Sequence, residues 1–538
     1  MMRRTTLIGA TVALGTATAA ALVAVPQAQA GPTAKPDTLP GGYKHLVVIY
    51  EENHSFDNLY GGWGPVNGEP VEGLAAATNA TQVDQHGVPF GCLHQRDVNL
   101  TSPPLSTTCT DSAHGIAASH FGNQPFRIED YIAAEDKTCP APGVTAPNGV
   151  LEDSPGALRG GCTRDLVHRF YQEQYQIDGG SQDRYTSGSD AVGLTMGYYD
   201  TRELPIYRYL HSPGAPRYVI ADHFFQAAFG GSFLNHQWLI AARSPLDTSN
   251  GASGALNSIL DSNGMVNTYP QYTPTGAVRD AQLTRQCADP TVDDVVLACG
   301  DFAVNTIQPQ SEPHSSSPVR LPAVDDQDYP TIGDRLSEAG ISWNWYSGGW
   351  DDAAAGHPGP LFQFHHQPFN YFAAYAPGQP GRAHLQDETD FLDAVEAGTL
   401  PTVSFVKPYG TENEHPGYAS EPDGSDHLVD LIDAITTGPQ AGNTLVVVTY
   451  DEFGGQWDHV PPPGAGSSTV GAHDAWGPGT RIPALIISRS LNHSGVDHTV
   501  YDTTSILATI ERSFDLAPLS SRDAAVNDLA NAVRVGRR

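Results

Sequence analysis

The chain has 538 residues, which is enough for one large α/β core or for two domains. It carries 28 basic and 60 acidic residues, so its formal net charge is −32 at pH 7. A surface this acidic argues against sequence-independent binding to nucleic acid or anionic membranes, because both need basic patches. It is compatible with a small phosphate-bearing substrate, since a local cationic site outweighs a distant field.

The N-terminus has the pattern of a signal peptide. Arg3-Arg4 precedes a mildly apolar stretch over residues 7–25, and Ala28-Gln29-Ala30 fits a small-x-small cleavage site. Paired arginines are also a feature of twin-arginine export signals. We therefore expect removal of residues 1–30 and a mature protein that is secreted, periplasmic or held at the cell surface.

A short apolar run at residues 46–50 predicts a buried strand, and it ends in Glu51, Glu52 and Asn53. In open α/β sheets, ligands bind just beyond the carboxyl ends of the strands. Carboxylate and amide oxygens suit a hard cation, so this strand end is a candidate half of a metal site. The alternative is that these residues only cap a helix or form a turn.

The middle of the chain alternates regular segments with two loop-rich insertions, at about 61–160 and 245–325. Predicted helices lie at 166–175, 201–210, 427–435 and 502–514, and predicted strands at 217–222, 341–346, 402–406 and 481–488. This alternation predicts an α/β fold with a mainly parallel central sheet and helices on both faces. We expect a single domain over residues 31–538.

Six cysteines agree with an oxidising destination and fall into three sequence-local pairs. No pair has C-x-x-C spacing, so a structural role is favoured over redox or zinc chemistry. Six cysteines allow 15 connectivities, and local pairing is the simplest of them. The expected pairs, all in the two insertions, are Cys92–Cys109, Cys139–Cys162 and Cys287–Cys299.

Ser232 follows two glycines at an expected helix start. Free backbone N–H groups at a helix N-terminus attract phosphate, which makes Ser232 a candidate nucleophile beside a phosphate site. A plain N-cap is an equally good interpretation of the sequence.

A second apolar strand, at 444–450, ends in Asp451 and Glu452. Two strands that each carry acidic groups at the carboxyl end predict one metal site across the sheet. In this site Asp451 and Glu452 would lie beside Glu52 and Asn53.

Several histidines stand in unusual sequence contexts. An imidazole can donate to phosphate oxygens and protonate a leaving group near its pKa of about 6.5. For any one of these histidines a structural role is the simpler interpretation. The candidates are His168, His365, His366, His415 and His459.

Several long motifs, in order along the chain, carry a family resemblance. They lie at residues 48–61, 197–207, 398–406, 449–455 and 501–507. The chain resembles the bacterial phosphoesterase family that includes nonhaemolytic-type phospholipases C and periplasmic acid phosphatases, within the alkaline-phosphatase-like superfamily. The resemblance implies an alkaline-phosphatase-like fold. The opening motif, and the lack of C-terminal β domains after the last predicted helix, are more similar to the acid phosphatases.

The resemblance also implies roles for individual residues. Glu52 with Asn53, and Asp451 with Glu452, match the family's ligands for a divalent metal ion of unknown identity. Ser232 matches the Ser/Thr nucleophile, which also contacts the metal.

Three histidines match the family's substrate-binding histidines: His168, His415 and His366 or its neighbour His365. At 234–236 this chain has Leu-Asn-His where the family usually has Pro and then Asn-Arg, so the resemblance assigns no phosphate contact there.

These expectations combine into one functional hypothesis. The chain should be a secreted, metal-dependent acid phosphatase that hydrolyses small phosphomonoesters through a phosphoserine. The alternative is a phospholipase C that cleaves phosphodiester head groups of phospholipids. A binding protein on a degenerate enzyme scaffold is a further alternative. No stable protein partner is predicted.

Overall fold

An eight-stranded sheet forms the centre of the protein. The computed structural model describes residues 38–95, 106–245, 259–265, 267–275, 278–279, 291–292, 295–296 and 329–538. In chain order the strands are β1 (His45–Glu51), β2 (Arg217–Ala221), β3 (Trp343–Ser347), β4 (Leu385–Asp387), β5 (Val403–Lys407), β6 (Thr444–Tyr450), β7 (Ala484–Ser488) and β8 (Gly495–Asp497). Their order across the sheet is β4-β3-β5-β1-β6-β7-β2-β8.

The sheet is mainly parallel, as predicted. Only β7 runs against its neighbours β6 and β2, and the other pairings are parallel. Every residue of β5, β6 and β7 is buried, and so are six of the seven residues of β1. Strands that are buried on both faces must be covered on both sides, which confirms the predicted α/β class.

The helices lie mostly near their predicted places but with different bounds. They are α1 (Phe56–Leu59), α2 (Phe170–Ile177), α3 (Pro205–Leu210), α4 (Ser232–Ala241), α5 (Ile332–Glu338), α6 (Trp350–Ala354), α7 (Glu388–Ala397), α8 (Glu421–Thr437), α9 (Thr504–Phe514), α10 (Ser521–Ala525) and α11 (Ala530–Arg537). Among the described residues, no helix combines the length and apolarity needed to cross a bilayer.

Two predicted helix starts are wrong for local reasons. The helix expected from residue 166 begins at Phe170, because Arg169 is still extended (φ −122°, ψ 155°). The helix expected from residue 427 begins at Glu421. There the Ser420 hydroxyl caps the helix by accepting from the backbone N–H of Asp423 at 3.1 Å.

The insertion at 61–160 contains turns and short strands in its described parts, and it is stapled as expected. Disulfides join Cys92 to Cys109 and Cys139 to Cys162, which confirms two of the predicted pairs. Cys287, Cys299, the predicted signal peptide and most of the insertion at 245–325 lie outside the described residues. The short strand pairs outside the main sheet are Cys109–Asp111 with Ile116–Ser119, Phe126–Arg127 with Gly197–Tyr198, Phe224–Phe225 with Tyr501–Asp502, Ile259–Leu260 with Val278–Arg279, and Thr291–Val292 with Val295–Val296.

Candidate active site

The acidic ends of β1 and β6 lie side by side. The two strands are adjacent and parallel, with Glu51 opposite Tyr450. The backbone N–H of Asp451 donates to the carbonyl of Glu51 at 3.1 Å, so the pairing continues one residue past the strand. Glu52 and Asp451 therefore leave the sheet together, as the two strand-end patterns predicted.

The loops that follow these strands interlock. Asp451 Oδ1 accepts from the backbone N–H groups of Asn53 (3.0 Å) and Glu452 (2.7 Å). Asn53 is in the left-handed region at φ 60°, which asparagine tolerates better than most residues. Gly454, at φ +62°, passes so close that a Cβ there would lie 2.2 Å from the Asn53 carbonyl oxygen. Only glycine fits at this crossing.

Ser232 points into the space between these loops. It is the first residue of α4, and Gly231 is the N-cap, without a side-chain capping bond. The N-cap interpretation of Ser232 is therefore wrong. Ser232 Oγ lies 3.2 Å from Glu52 Oε2, 3.4 Å from Asn53 Oδ1 and 3.4 Å from Glu452 Oε1. Its hydroxyl therefore contacts three of the four other predicted metal ligands, Glu52, Asn53 and Glu452.

Two of the predicted histidines lie directly against these ligands. His168 Nε2 is 3.3 Å from Glu452 Oε1, while its Nδ1 faces the Leu166 carbonyl at 2.6 Å. His366 Nε2 is 2.9 Å from Glu52 Oε1. Of the adjacent pair, His366 is thus the one that contacts Glu52.

His415 lies beside His168, with their ring centroids 6.3 Å apart. Its Nδ1 faces the carbonyl of Pro416 at 2.6 Å, and its ring stacks on Tyr418. His459 does not join this group. It pairs with Asp57 at 2.6 Å and belongs to a buried network around Arg481.

The three buried carboxyl groups of this site have pKa values shifted from their usual range. Burial raises the pKa of Asp451 to about 8, and the Glu52 carboxylate adds to the shift. Burial, with Asp451 nearby, also raises the pKa of Glu452 well above its usual range. Glu52 differs: burial opposes its ionisation, but the ammonium of Lys407 prevails and holds its pKa well below the usual range.

The oxygen set fits a divalent cation. Asp451 Oδ2 is buried and has no hydrogen-bond partner, whereas Glu52 Oε1 is paired with Lys407 Nζ at 2.6 Å. Carboxylate, amide and hydroxyl oxygens are the ligands that hard cations prefer. A divalent cation would satisfy Asp451 Oδ2 and offset the repulsion between the carboxylates.

This geometry agrees with the result of a comparison with family models. The model of the phosphoesterase family matches residues 43–517, a span that includes every residue of the site. The chain belongs to the phosphoesterase family. It is therefore a hydrolase of phosphate ester bonds, as the motifs predicted.

Named relatives of this phosphoesterase include phospholipases C. Phospholipase C B of Mycobacterium tuberculosis is 23% identical over 525 residues, covering 91% of this chain and 77% of the relative. The non-hemolytic phospholipase C of Pseudomonas aeruginosa is 30% identical over 235 residues, covering 38% of this chain and 33% of that protein. Among solved structures, a protein in the alkaline phosphatase superfamily from Vibrio parahaemolyticus has 15% identity and a TM-score of 0.24, covering 40% of this chain and 56% of that one. The fold class is established by the central sheet itself.

Sequence reasoning missed two residues of this phosphoesterase's site. His236 lies 4.0 Å from Glu52 Oε1 and 3.8 Å from Asp451 Oδ2, and its Nδ1 faces the carbonyl of Ser232 at 2.8 Å. Its position four residues after Ser232 on α4 places it on the same helix face, a signal that was available. Lys407 Nζ lies 2.6 Å from Glu52 Oε1. It ends the buried strand β5, so the strand-end argument applied to bases as well as acids would have found it.

A buried clamp joins the loop before α4 to the loop after β6. Glu173 in α2 accepts from the backbone N–H groups of Gly230 (2.6 Å) and Thr480 (2.7 Å), and from Gln226 Nε2 (2.9 Å). Gln226 Oε1 accepts in turn from the backbone N–H of Phe453 at 2.9 Å. Because these two loops carry the serine and the acidic pair, the clamp fixes their separation.

We expect Glu173→Gln to lower kcat by about 10- to 100-fold, since small misplacements of reacting groups have effects of this size. The amide replaces one accepting oxygen with a donor that faces an N–H group. The free energy of unfolding should also fall by about 1–3 kcal/mol.

The control for this change is Glu511→Gln in α9, a buried acceptor from the Leu519 N–H at 3.2 Å. It should leave kcat unchanged. Equal kinetic losses in the two variants would contradict the positioning role of Glu173.

Proposed function

We propose that this phosphoesterase is metal-dependent and uses Ser232 as a covalent nucleophile. The observation that carries the proposal is the position of Ser232 Oγ, within 3.2–3.4 Å of Glu52, Asn53 and Glu452 at the N-terminus of α4. A serine hydroxyl needs activation to attack phosphorus. It also needs an electropositive environment for the phosphoryl oxygens, which the helix N-terminus helps to provide.

The oxygens of Glu52, Asn53, Asp451 and Glu452 would hold the cation together with Ser232 Oγ. A divalent cation in such a site lowers the pKa of a neighbouring hydroxyl and neutralises charge on the transferring phosphoryl group. Glu52 Oε2, at 3.2 Å, is placed to take the proton of Ser232.

The histidines are oriented for the phosphate and for the leaving group. His168 and His415 each turn Nδ1 to a backbone carbonyl at 2.6 Å, so Nδ1 carries the hydrogen in the neutral ring. A protonated His415 ring would have a second N–H at Nε2 for a phosphate oxygen or for the departing alkoxide, whereas burial lowers the pKa of His168 and favours its neutral ring.

The proposed reaction has two steps. Ser232 Oγ forms a bond to phosphorus as the bond to the leaving oxygen breaks, and a histidine Nε2–H supplies the proton to that oxygen. Water then attacks the phosphoserine and gives a proton to the histidine, the bond between phosphorus and Oγ breaks, and Ser232 recovers its proton from Glu52. Positioning and electrostatics supply most of the rate enhancement in such reactions.

For the substrate we propose small phosphomonoesters first. A monoester carries up to two negative charges at phosphorus, and the cation proposed for the oxygens of Glu52, Asn53, Asp451 and Glu452 would stabilise a dianion more than a monoanionic diester. A second candidate is phospholipase C activity on phosphodiester head groups. It is favoured by the phospholipase C names of relatives that align with 91% of this chain.

A comparison of matched substrates tests the proposal. The purified protein is assayed on p-nitrophenyl phosphate, on p-nitrophenylphosphorylcholine and on phosphatidylcholine vesicles, each with and without a chelator. We expect the highest kcat/KM on the monoester, and loss of that activity after chelation with recovery on adding a divalent cation. A higher kcat/KM on the choline diester and the vesicles would establish the phospholipase C alternative, and chelator-resistant turnover would contradict metal dependence.

A further inference from the structure

His54 is a fully buried histidine that lies between two parts of the proposed active site. It follows Asn53 in the loop after β1 and is 0% exposed. Its Nε2 lies 3.0 Å from the backbone carbonyl of Glu414, the residue before His415. The same Nε2 lies 2.6 Å from Glu421 Oε1 at the start of α8. One side chain therefore joins the loop of a predicted metal ligand to the loop of a predicted substrate-binding histidine.

Both nitrogens of the His54 ring carry hydrogens. Nδ1 lies 2.6 Å from Asn58 Oδ1, and the amide nitrogen of Asn58 donates to the Gly197 carbonyl at 2.8 Å, which fixes the orientation of the amide. Asn58 Oδ1 and the Glu414 carbonyl can only accept, so each ring nitrogen must donate. The ring is therefore an imidazolium, and Glu421 is the carboxylate that balances its charge.

Glu414 has a backbone conformation that needs support from its surroundings. Its φ is 66°, in the left-handed region that residues other than glycine rarely adopt. Helix α8 packs directly on it, because a Cβ at Gly424 would lie 2.5 Å from Glu414 Cγ. The backbone N–H of His415 donates to Asn413 Oδ1 at 3.1 Å. The bond from His54 to the Glu414 carbonyl therefore fixes the peptide plane that leads into His415.

We propose that the buried His54 imidazolium positions Asn53 and His415 relative to each other. The inference deepens the proposed function and rests on it, because it concerns the separation of the metal site from a histidine that protonates the leaving group. His54 is a positioning residue, since it acts through these two neighbours. The competing interpretation is that His54 only neutralises the buried charge of Glu421.

The leaving group of the substrate separates positioning from general destabilisation. Protonation by His415 matters little for p-nitrophenyl phosphate, because nitrophenolate leaves without a proton, and it matters much for phenyl phosphate. We expect His54→Gln to lower kcat/KM at least about 10-fold further on phenyl phosphate than on p-nitrophenyl phosphate. The affinity for Mn²⁺, measured by calorimetry, should also fall by about 10-fold or more, the scale for groups that orient metal ligands.

A double variant separates position from charge balance. His54→Gln leaves Glu421 as a buried carboxylate without its counter-charge, which can unfold the chain. Adding Glu421→Gln removes both charges, so the thermal midpoint should recover. The substrate ratio and the weak Mn²⁺ binding should persist, because a glutamine amide lacks the two opposed N–H groups of the ring. Recovery of both quantities in the double variant would show that His54 only balances Glu421.

The matched control is His459→Gln, which removes another histidine at 2.6 Å from a carboxylate, Asp57, in the network around Arg481. It should leave the ratio between the two substrates and the Mn²⁺ affinity unchanged. An equal change of the substrate ratio in His459→Gln and His54→Gln would contradict a specific role of His54.

A measurement on the wild type needs no variant. Neutron diffraction at neutral pH should show hydrogen on both Nδ1 and Nε2 of His54. A ring with one hydrogen, equal losses on the two substrates, or unchanged Mn²⁺ affinity in His54→Gln would overturn the positioning role. Failure of the proposed function would appear separately, as retained turnover in Ser232→Ala or as chelator-resistant turnover of the wild type.

Discussion

Replacing Ser232 with alanine should lower kcat by at least about 10³-fold, the scale on which enzymes lose activity with a covalent nucleophile. The remaining groups keep their places, since Ser232 contributes no capping bond to α4. Inorganic phosphate and vanadate should therefore still bind to the histidines and the loaded metal site. Steady-state kinetics and competition binding measure the two effects separately.

The matched control for this variant is Ser244→Ala, which removes a similarly buried hydroxyl just beyond α4. Ser244 is 4% exposed, and its Oγ accepts from Trp238 Nε1 at 3.1 Å. It should leave kcat unchanged. Acid-quenched mass spectrometry of the wild type should also find a phosphate on the peptide that contains Ser232. An active Ser232→Ala enzyme would defeat the nucleophile assignment.

Asp451→Asn should lower turnover by more than about 100-fold, because even groups that only orient metal ligands contribute about 10- to 100-fold. The amide keeps an oxygen that can accept from the N–H groups of Asn53 and Glu452, so the loop geometry survives. It removes the charge of Oδ2, the buried atom without a hydrogen-bond partner. Mn²⁺ retention, measured by elemental analysis after gel filtration, should fall in parallel with activity.

In the metal-free protein, Asp451→Asn should not lower thermal stability, although it lowers turnover. Burial raises the folded-state pKa of Asp451 to about 8, above the value of about 4 in an unfolded chain. The ionised carboxyl therefore destabilises the metal-free protein increasingly as pH rises from 4 towards 8. A neutral amide removes this effect, so at pH 7 the chelated variant should unfold at the same temperature as the chelated wild type or higher.

Asp433→Asn, which removes one charge from the exposed face of α8, controls for net charge and should alter none of these quantities. Normal metal content together with normal turnover in Asp451→Asn would remove Asp451 from the metal site. A large fall in the thermal midpoint of the chelated variant would show that Asp451 is a structural residue instead.

Local sequence was enough to predict the parts of this fold that depend on continuous patterns. Strands β1 and β6 are unbroken apolar runs, and such runs are typical of strands buried on both faces of a parallel sheet. Their acidic ends followed from the same pattern, which is why Glu52, Asn53, Asp451 and Glu452 could be grouped. The two described disulfides were also predictable, because each closes a short loop within one insertion.

Only the tertiary structure decided how residues from distant segments meet. From the sequence Ser232 could be an N-cap or a nucleophile, and in the structure α4 brings its hydroxyl within 3.2 Å of Glu52 and 3.4 Å of Glu452. The choice of His366 over His365 required the path of a 3₁₀ turn, Phe364–His366, which no periodicity marks.

The sequence also did not predict the contacts of His236, Lys407 and Glu173. Each acts through a partner at least 50 residues away in sequence: Glu52 for His236 and Lys407, and Gly230 and Thr480 for Glu173. Pattern and propensity describe neighbours along the chain, whereas burial of a charge depends on what the rest of the chain packs against it. The sequence by itself determined which strand ends carry the acids, and packing alone determined which bases and hydroxyls compensate them.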